Sequence, residues 1–292
     1  VKVTKVAFDK LEEEIYRSLP TKYATSFWAS NFPIYNKSCN RQALYNLMNI
    51  PRAKGMDMKG RSIVEMGKAA EYLIVHRWAK AGYTIGGSVP LHYGGDIKQL
   101  ALEDFNTWLS GNLDAVLDLR PRFNSVLPVD IKSKNDESIR KMRVGALSYN
   151  PKHYAQIQAY IYLCNLYHEE MGWAAMGLEP ANSASLFYVS RENPSFAFEY
   201  HLKANWPLIN FAIERLKEWK QHFISDTLPP RDKSWQWSKD SCQYCEMKKF
   251  ACKPDNKNDI QKLSDSNGVA FAESLLEYSF SEIKEKVLSR WA

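Results

Sequence analysis

No stretch of this chain approaches the roughly 20 consecutive apolar residues that a membrane-crossing helix needs, so a membrane partner is not expected. The opening residues, VKVTKVAFDKLEEEIYRSLP, lack the apolar core of a secretory signal, and a cytoplasmic location is the expectation. A GxxxxGK(S/T) loop is missing, which excludes a fused nucleotide-driven motor of the helicase kind. There is no G-x-S-x-G elbow and no H-E-x-x-H pair, so serine-hydrolase and zinc-peptidase chemistry have no foothold. Repeats, low-complexity tracts and long single-sign charge blocks are also absent. The chain has only 5 cysteines, an odd number that argues against a disulfide framework.

What remains is an ordinary globular composition over 292 residues, 45% hydrophobic and 25% charged, enough to bury a sizeable core. The net charge of +6 suits a polyanionic partner without requiring one. One continuous domain over residues 1–292 is expected. It divides into an N-terminal helical part (1–60), a core (61–203) and a C-terminal part with further helices and cysteines (204–292).

Four of the five cysteines are informative by spacing. Cys242, Cys245 and Cys252 crowd into SCQYCEMKKFAC, and Cys39 stands alone in SCNRQALYNL. Thiolates select soft ions, so zinc or an iron–sulphur cluster fits this set and magnesium does not. The chain between Cys39 and Cys242 is far too long for a zinc ribbon. A shared metal would therefore clasp the two ends around the intervening fold. Cys164, in YIYLCNLY, reads as a buried core thiol.

The elements follow from periodicity and punctuation. Residues 5–18 and 40–49 look helical. Residues 61–82 form a strong helix with Ile63, Met66, Ala70, Leu73, Ile74 and Trp78 near one face, ended by Gly82. Residues 83–93, WLSGNLDAVLDL and SVLPVDIKSK read as strands. A polar loop, NDESIRKMRVGALSYN, precedes a helix from Pro151 to about Tyr167. ASLFYVS and SFAFEYHL suggest a hairpin, and ANWPLINFAIERLKEWKQHF a long helix. In the tail, Leu276, Phe280, Ile283, Val287 and Trp291 recur at helical spacing and should dock on the core. The central order is helix, three strands, helix, strand.

Alternation places Asp114 and Asp118 on one face of GNLDAVLDL, and Asp130 and Lys132 on one face of PVDIKSK. Carboxylates crowded on neighbouring strands repel and lose hydration unless an ion neutralises them, and hard oxygen ligands select Mg2+ or Mn2+. Such an ion could polarise a phosphate and activate water, with Lys132 stabilising developing charge. Asp118 lies roughly 13 Å along the strand from Asp114 and is a poor candidate for the same ion. Gln156 and Tyr160, four residues apart, share a helix face. Arg140, Lys141 and Arg143 are candidates for phosphate contacts. Trp235, Trp237, Tyr244 and Phe250 near the cysteines suit shielding of a cluster or stacking on bases.

The series GKAAE, GNLDAVLD, VDIKSK and QIQAY resembles the PD-(D/E)XK nuclease superfamily in its RecB-like branch. With the cysteine pattern, SCNRQALYNL and LPPR, the chain is similar to CRISPR-associated iron–sulphur exonucleases and AddB-type nuclease domains over residues 35–255. The resemblance implies an α/β restriction-endonuclease-like core with helical additions at both ends, clasped by a 4Fe–4S cluster on Cys39, Cys242, Cys245 and Cys252. It implies metal ligands at Asp114, Asp130 and the Ile131 carbonyl, with Lys132 catalytic. Glu71 would be a further ligand, where many RecB-like nucleases carry histidine. His76 is turned about 140° from Glu71 on the helix and is no substitute. Gln156 and Tyr160 match an element that touches the substrate strand.

The implied activity is a Mg2+- or Mn2+-dependent DNA exonuclease on single-stranded or frayed ends, with endonuclease side activity open. Recombination or CRISPR-adaptation proteins are the implied protein partners. The alternative is a non-catalytic DNA-end-binding or recombination partner that retains the fold. Intact Asp114, Asp130 and Lys132 favour the enzyme.

Overall fold

The computed structural model describes residues 25–34, 40–47, 58–87, 99–227, 229 and 280–292. Strand β1 (Phe27–Trp28) runs into a single 3-10 turn (Ala29–Asn31), and helix α1 (Asn40–Leu47) follows. Helix α2 (Met58–Lys80) ends where Gly82 adopts φ 77°, a left-handed conformation that glycine enters without a Cβ penalty. The last turn carries Arg77 and Lys80, whose charges suit the negative end of a helix.

Only the second half of the expected apolar face of α2 is covered among the described residues. Ala70, Ile74 and Val75 pack on Ala115, Leu117, Leu127, Val129 and Ile131, whereas Ile63 and Met66 are exposed. The helix therefore crosses the sheet with its C-terminal turns. Near the crossing, Gly67 leaves just enough room: a Cβ there would lie 3.0 Å from Ser133 Oγ.

The strands are β2 (Thr84–Gly87), β3 (Leu100–Asp104), β4 (Leu109–Leu113), β5 (Ala115–Leu117) and β6 (Leu127–Lys134). After them come helices α3 (Asp136–Arg143) and α4 (Pro151–Leu166), strands β7 (Ser183–Ser190) and β8 (Ala197–Lys203), and helices α5 (Trp206–Ile224) and α6 (Phe280–Trp291). Five strands form one sheet in the order β2-β5-β6-β7-β8, with β6 and β7 parallel and the other pairs antiparallel. This sheet contains the expected succession of helix, three strands, helix and strand, extended by β8.

The expectation missed a second, three-stranded sheet, β1-β4-β3. GNLDAVLDL is not one alternating strand but two, broken at Asp114, with β4 in the small sheet and β5 in the large one. Short apolar runs do not reveal a change of sheet, because both halves keep period two.

The expected loop at 135–150 also contains a helix. Asn135 caps α3 by accepting from Ser138 N at 3.0 Å, and Ile139 and Met142 bury its apolar side. Asn150 caps α4 likewise, and Pro151 sits at the helix start where no N–H is needed.

Helix α4 fills the core between the sheets. It approaches β4 so closely that a Cβ on Gly111 would lie 2.8 Å from Tyr160 Cε1 and 3.0 Å from Leu163 Cδ1. An alanine there would have to push ring or strand aside, at a cost of about 1–3 kcal/mol. Helix α6 docks on the core through Ile283, Val287 and Trp291, as expected of these three, and Trp291 Nε1 donates to Thr25 O at 2.6 Å; Leu276 lies outside the described residues. Cys164 is fully buried, also as expected, and burial raises its thiol pKa. Among the described residues no helix is long and apolar enough to cross a membrane.

Candidate active site

The break between β4 and β5 creates the site. Ala115 pairs with Val129, so a continuous strand would offer Leu113 to Ile131. The chain instead leaves for the small sheet, and the next N–H of β6 needs another acceptor. Asp114 supplies it, its Oδ2 accepting from Ile131 N at 2.7 Å. The carboxylate is thereby pinned beside β6.

Asp130 and Lys132 follow on one face of β6, two residues apart. Lys132 Nζ donates to Asp130 Oδ1 at 2.9 Å. The other oxygen, Asp130 Oδ2, is buried and has no hydrogen-bond partner. Glu71 enters from α2. Gln99, just before β3, donates from Nε2 to both Glu71 Oε1 (2.9 Å) and Asp114 Oδ1 (2.8 Å). All five side chains line one cavity of about 260 Å³, together with Ile131, Gln156 and Tyr160. Trp28 and Ser30 form part of its lining from the β1 side.

Three carboxylates face one ammonium in this cavity, and burial dominates their electrostatics. Desolvation pushes the pKa of Asp114 up to about 7, with Glu71 adding to the rise and Lys132 opposing it. Asp130 is also pushed up to about 7, by burial first, against Lys132. Glu71 is raised for the same leading reason, although the Gln99 hydrogen bond opposes it. For Lys132 burial works against the charge, but Asp130, Asp114 and Glu71 outweigh it and the pKa ends above its usual value. The lysine is therefore a standing ammonium, suited to meeting negative charge and unsuited to acting as a base. His153, near Lys132 and Lys134, is held neutral by burial and these cations, its pKa pushed down to about 3.

Gln156 and Tyr160 share a helix face as expected, but their hydrogen bonds point inward. Gln156 Nε2 donates to Tyr160 Oη at 2.7 Å, and Tyr160 Oη donates to Asn112 O at 2.8 Å. Tyr160 is buried and braces the backbone two residues before Asp114. In this arrangement it orients Gln156, which is partly exposed at the cavity wall.

Arg140, Lys141 and Arg143 lie on α3, off the cavity wall. Lys141 pairs with Glu137, and Arg143 spends its guanidinium on Ala197 O (2.8 Å) and the Phe196 ring. Asp118 is held by Arg120 at the surface, away from the other carboxylates. His76 stacks on Tyr72. Cys39, Cys242, Cys245 and Cys252, and the aromatics Trp235, Trp237, Tyr244 and Phe250, lie outside the described residues.

Gln99, Trp28 and Ser30 belong to no recognisable motif, and their place in the cavity was not expected. Trp28 and Ser30 reach the cavity only because β1 pairs in parallel with β4, a long-range contact with no local signature.

The donor set fits a hard divalent cation: carboxylates dominate it, and one of their oxygens is buried without a donor. Among the described residues, however, no three His, Cys, Asp or Glu side chains are already drawn together as a cage. The Gln99 amide donates to both Glu71 and Asp114, whose carboxyl groups also contact each other, and the Lys132 ammonium covers one side of Asp130.

No family model matches the chain, and no curated protein matches it. Among solved structures it is similar to LHK-Exo in complex with dAMP, at 14% identity and a TM-score of 0.42 over 69% of this chain and 89% of that one. It is also similar to the alkaline exonuclease LHK-Exo from Laribacter hongkongensis, at 11% identity and a TM-score of 0.40 over 73% and 93%. A third likeness is to SSO0001, at 14% identity and a TM-score of 0.39 over 88% and 100%. At these values the likeness is one of general mixed α/β arrangement, and the roles of individual residues rest on this chain's own geometry.

Proposed function

We propose that this protein is a Mg2+- or Mn2+-dependent deoxyribonuclease, an exonuclease acting on single-stranded or frayed DNA ends. The observation that carries the reading is Asp130 Oδ2, a buried acceptor without a donor, in a cavity that also gathers Glu71, Asp114 and Lys132. Leaving a buried carboxylate oxygen unserved is costly, and a site that binds a cation recovers that cost. Glu71, Asp114, Asp130 and the Ile131 carbonyl are the groups that would hold the ion. Bound there, it would neutralise the carboxylates, polarise a phosphoryl oxygen and make water a better nucleophile.

The chain's own residues supply the rest. Lys132 presents its ammonium beside Asp130, where it would meet negative charge developing on the reacting phosphate. Tyr160 fixes Gln156 and the Asn112 carbonyl, so the wall beside Asp114 is rigid and Gln156 can orient a substrate strand. The DNA substrate rests on the sequence resemblance and on the net charge of +6.

Cys39, Cys242, Cys245 and Cys252 belong to the same reading as ligands of a structural 4Fe–4S cluster. Anaerobically purified protein should be brown, with near-stoichiometric iron and sulphide. A colourless protein with one zinc would assign the thiolates otherwise.

The activity is tested with single strands labelled at the 5′ or 3′ end, incubated with and without Mn2+. Progressive shortening only with the metal is the expected result. Tight end binding without any cleavage would favour the non-catalytic reading.

A further inference from the structure

Gln99 lies outside every motif discussed above, yet it makes the most central contact in the cavity. Its single amide nitrogen lies 2.9 Å from Glu71 Oε1 and 2.8 Å from Asp114 Oδ1. A donor so placed does for two carboxylates what a bridging cation does: it lies between them and offers positive charge to both. Across the cavity, Lys132 does the same for Asp130 Oδ1, while Asp130 Oδ2 receives nothing. Glu71 and Asp114 also touch each other, so the Gln99 amide serves a pair of carboxyl groups in direct contact, while among the described residues no third acid is gathered around the same point.

We infer that Gln99 is a positioning residue of the metal site, an internal stand-in for the cation that competes with the incoming ion for Glu71 and Asp114. This rests on the proposed metal-dependent reading and assigns its site a built-in competitor. The amide offsets part of the repulsion between the two acids in the metal-free protein by donating to both. Metal entry must break both of its hydrogen bonds, so wild-type affinity is set below what the carboxylates alone would give. Hydrogen bonds to charged groups are strong enough for this to shift affinity about 10-fold.

The test is calorimetric titration of Mn2+ into the full chain, with its cysteine-bound metal intact and labile divalent ions removed. Gln99→Met keeps the length and removes the donor. It should bind Mn2+ about 10-fold more tightly than wild type and melt lower without the ion. Gln99→Glu removes the donor and adds a carboxylate, so it should tighten binding at least as much. A purely structural role would lower the melting temperature and leave the affinity unchanged. Unchanged affinity in both variants overturns the inference. Weaker binding in Gln99→Met overturns it too, because Gln99 would then be a ligand through Oε1. If wild type and Asp130→Asn alike bind no Mn2+, the metal-dependent reading itself fails, an outcome distinct from either result.

Discussion

Two buried aspartates in this molecule meet opposite treatment. Asp104, at the end of β3, accepts from Asn106 N, Thr107 Oγ1 and Tyr162 Oη at 2.9, 2.6 and 2.8 Å. Asp130, buried to the same degree, has Lys132 on one oxygen and no donor on the other. The first carboxylate is solvated by the protein and shapes the turn that leads into β4. The second is left short of donors beside two other acids. A fold that can supply three donors to one buried carboxylate and withholds them from another is not simply failing to satisfy polar groups. The contrast separates an acid that the protein satisfies from one that it leaves short of donors, as the proposed metal site requires.

The largest expected break in that comparison is in catalysis. Asp130→Asn should abolish DNA cleavage and Mn2+ binding, as should Asp114→Asn, while the metal-free protein at pH 8 melts several degrees higher. The gain follows because each substitution removes a carboxylate that burial disfavours in its charged form. Metal titration, cleavage and melting on the same samples check all parts. Cleavage at the wild-type rate in either variant would remove that residue from the site.

Next in size is Lys132→Ala, expected to slow single-turnover cleavage by about 10²–10³ with little change in DNA affinity. Normal cleavage at saturating enzyme would return VDIKSK to the status of an ordinary strand end. Asp104→Ala should do the reverse of Asp130→Asn. It should cost about 2–4 kcal/mol of stability, from three lost partners, and leave Mn2+ affinity alone. Chemical denaturation and Mn2+ titration separate these outcomes.

The sequence made much of this legible, and unevenly so. Helices α2, α4 and α5 could be read because their apolar spacing, prolines and caps agree locally. Asp114, Asp130 and Lys132 stood out because acids on neighbouring strands need an explanation. The sheet change at Asp114 escaped notice because alternation on both sides hides it, and only pairing partners distinguish the sheets. Helix α3 was hidden by its polar composition. Its two buried residues, Ile139 and Met142, give a narrow apolar stripe that a loop could also carry. Gln99 had no signal at all, since one glutamine before a short strand acquires meaning only through the two carboxylates that fold against it.

The smallest expected effect lies in pH dependence, and it sharpens the comparison most directly. Asp114 and Asp130 titrate near 7 in the folded metal-free protein, against 3.8 for an ordinary aspartate. Folded-state values above the unfolded ones mean that the native form holds more protons between about pH 4 and 7. The stability these two acids contribute is then fully present below about pH 4. It is lost as pH rises through 7 and is level beyond it. Asp130→Asn removes one such group and relieves Asp114 of a neighbouring charge. The melting temperature of the variant should therefore match wild type near pH 4 and exceed it increasingly up to about pH 7.5, in the absence of divalent ions. Mn2+ should reverse the ranking, because the ion takes the place of the protons only in wild type, and its stabilising effect should grow over the same pH range. Asp104→Asn, serving as the control, should melt below wild type, because it takes a partner from a carboxylate that the protein serves fully. A gap between Asp130→Asn and wild type that narrows as pH rises would mean that burial does not disfavour the charged Asp130, and the distinction between the two acids would fall.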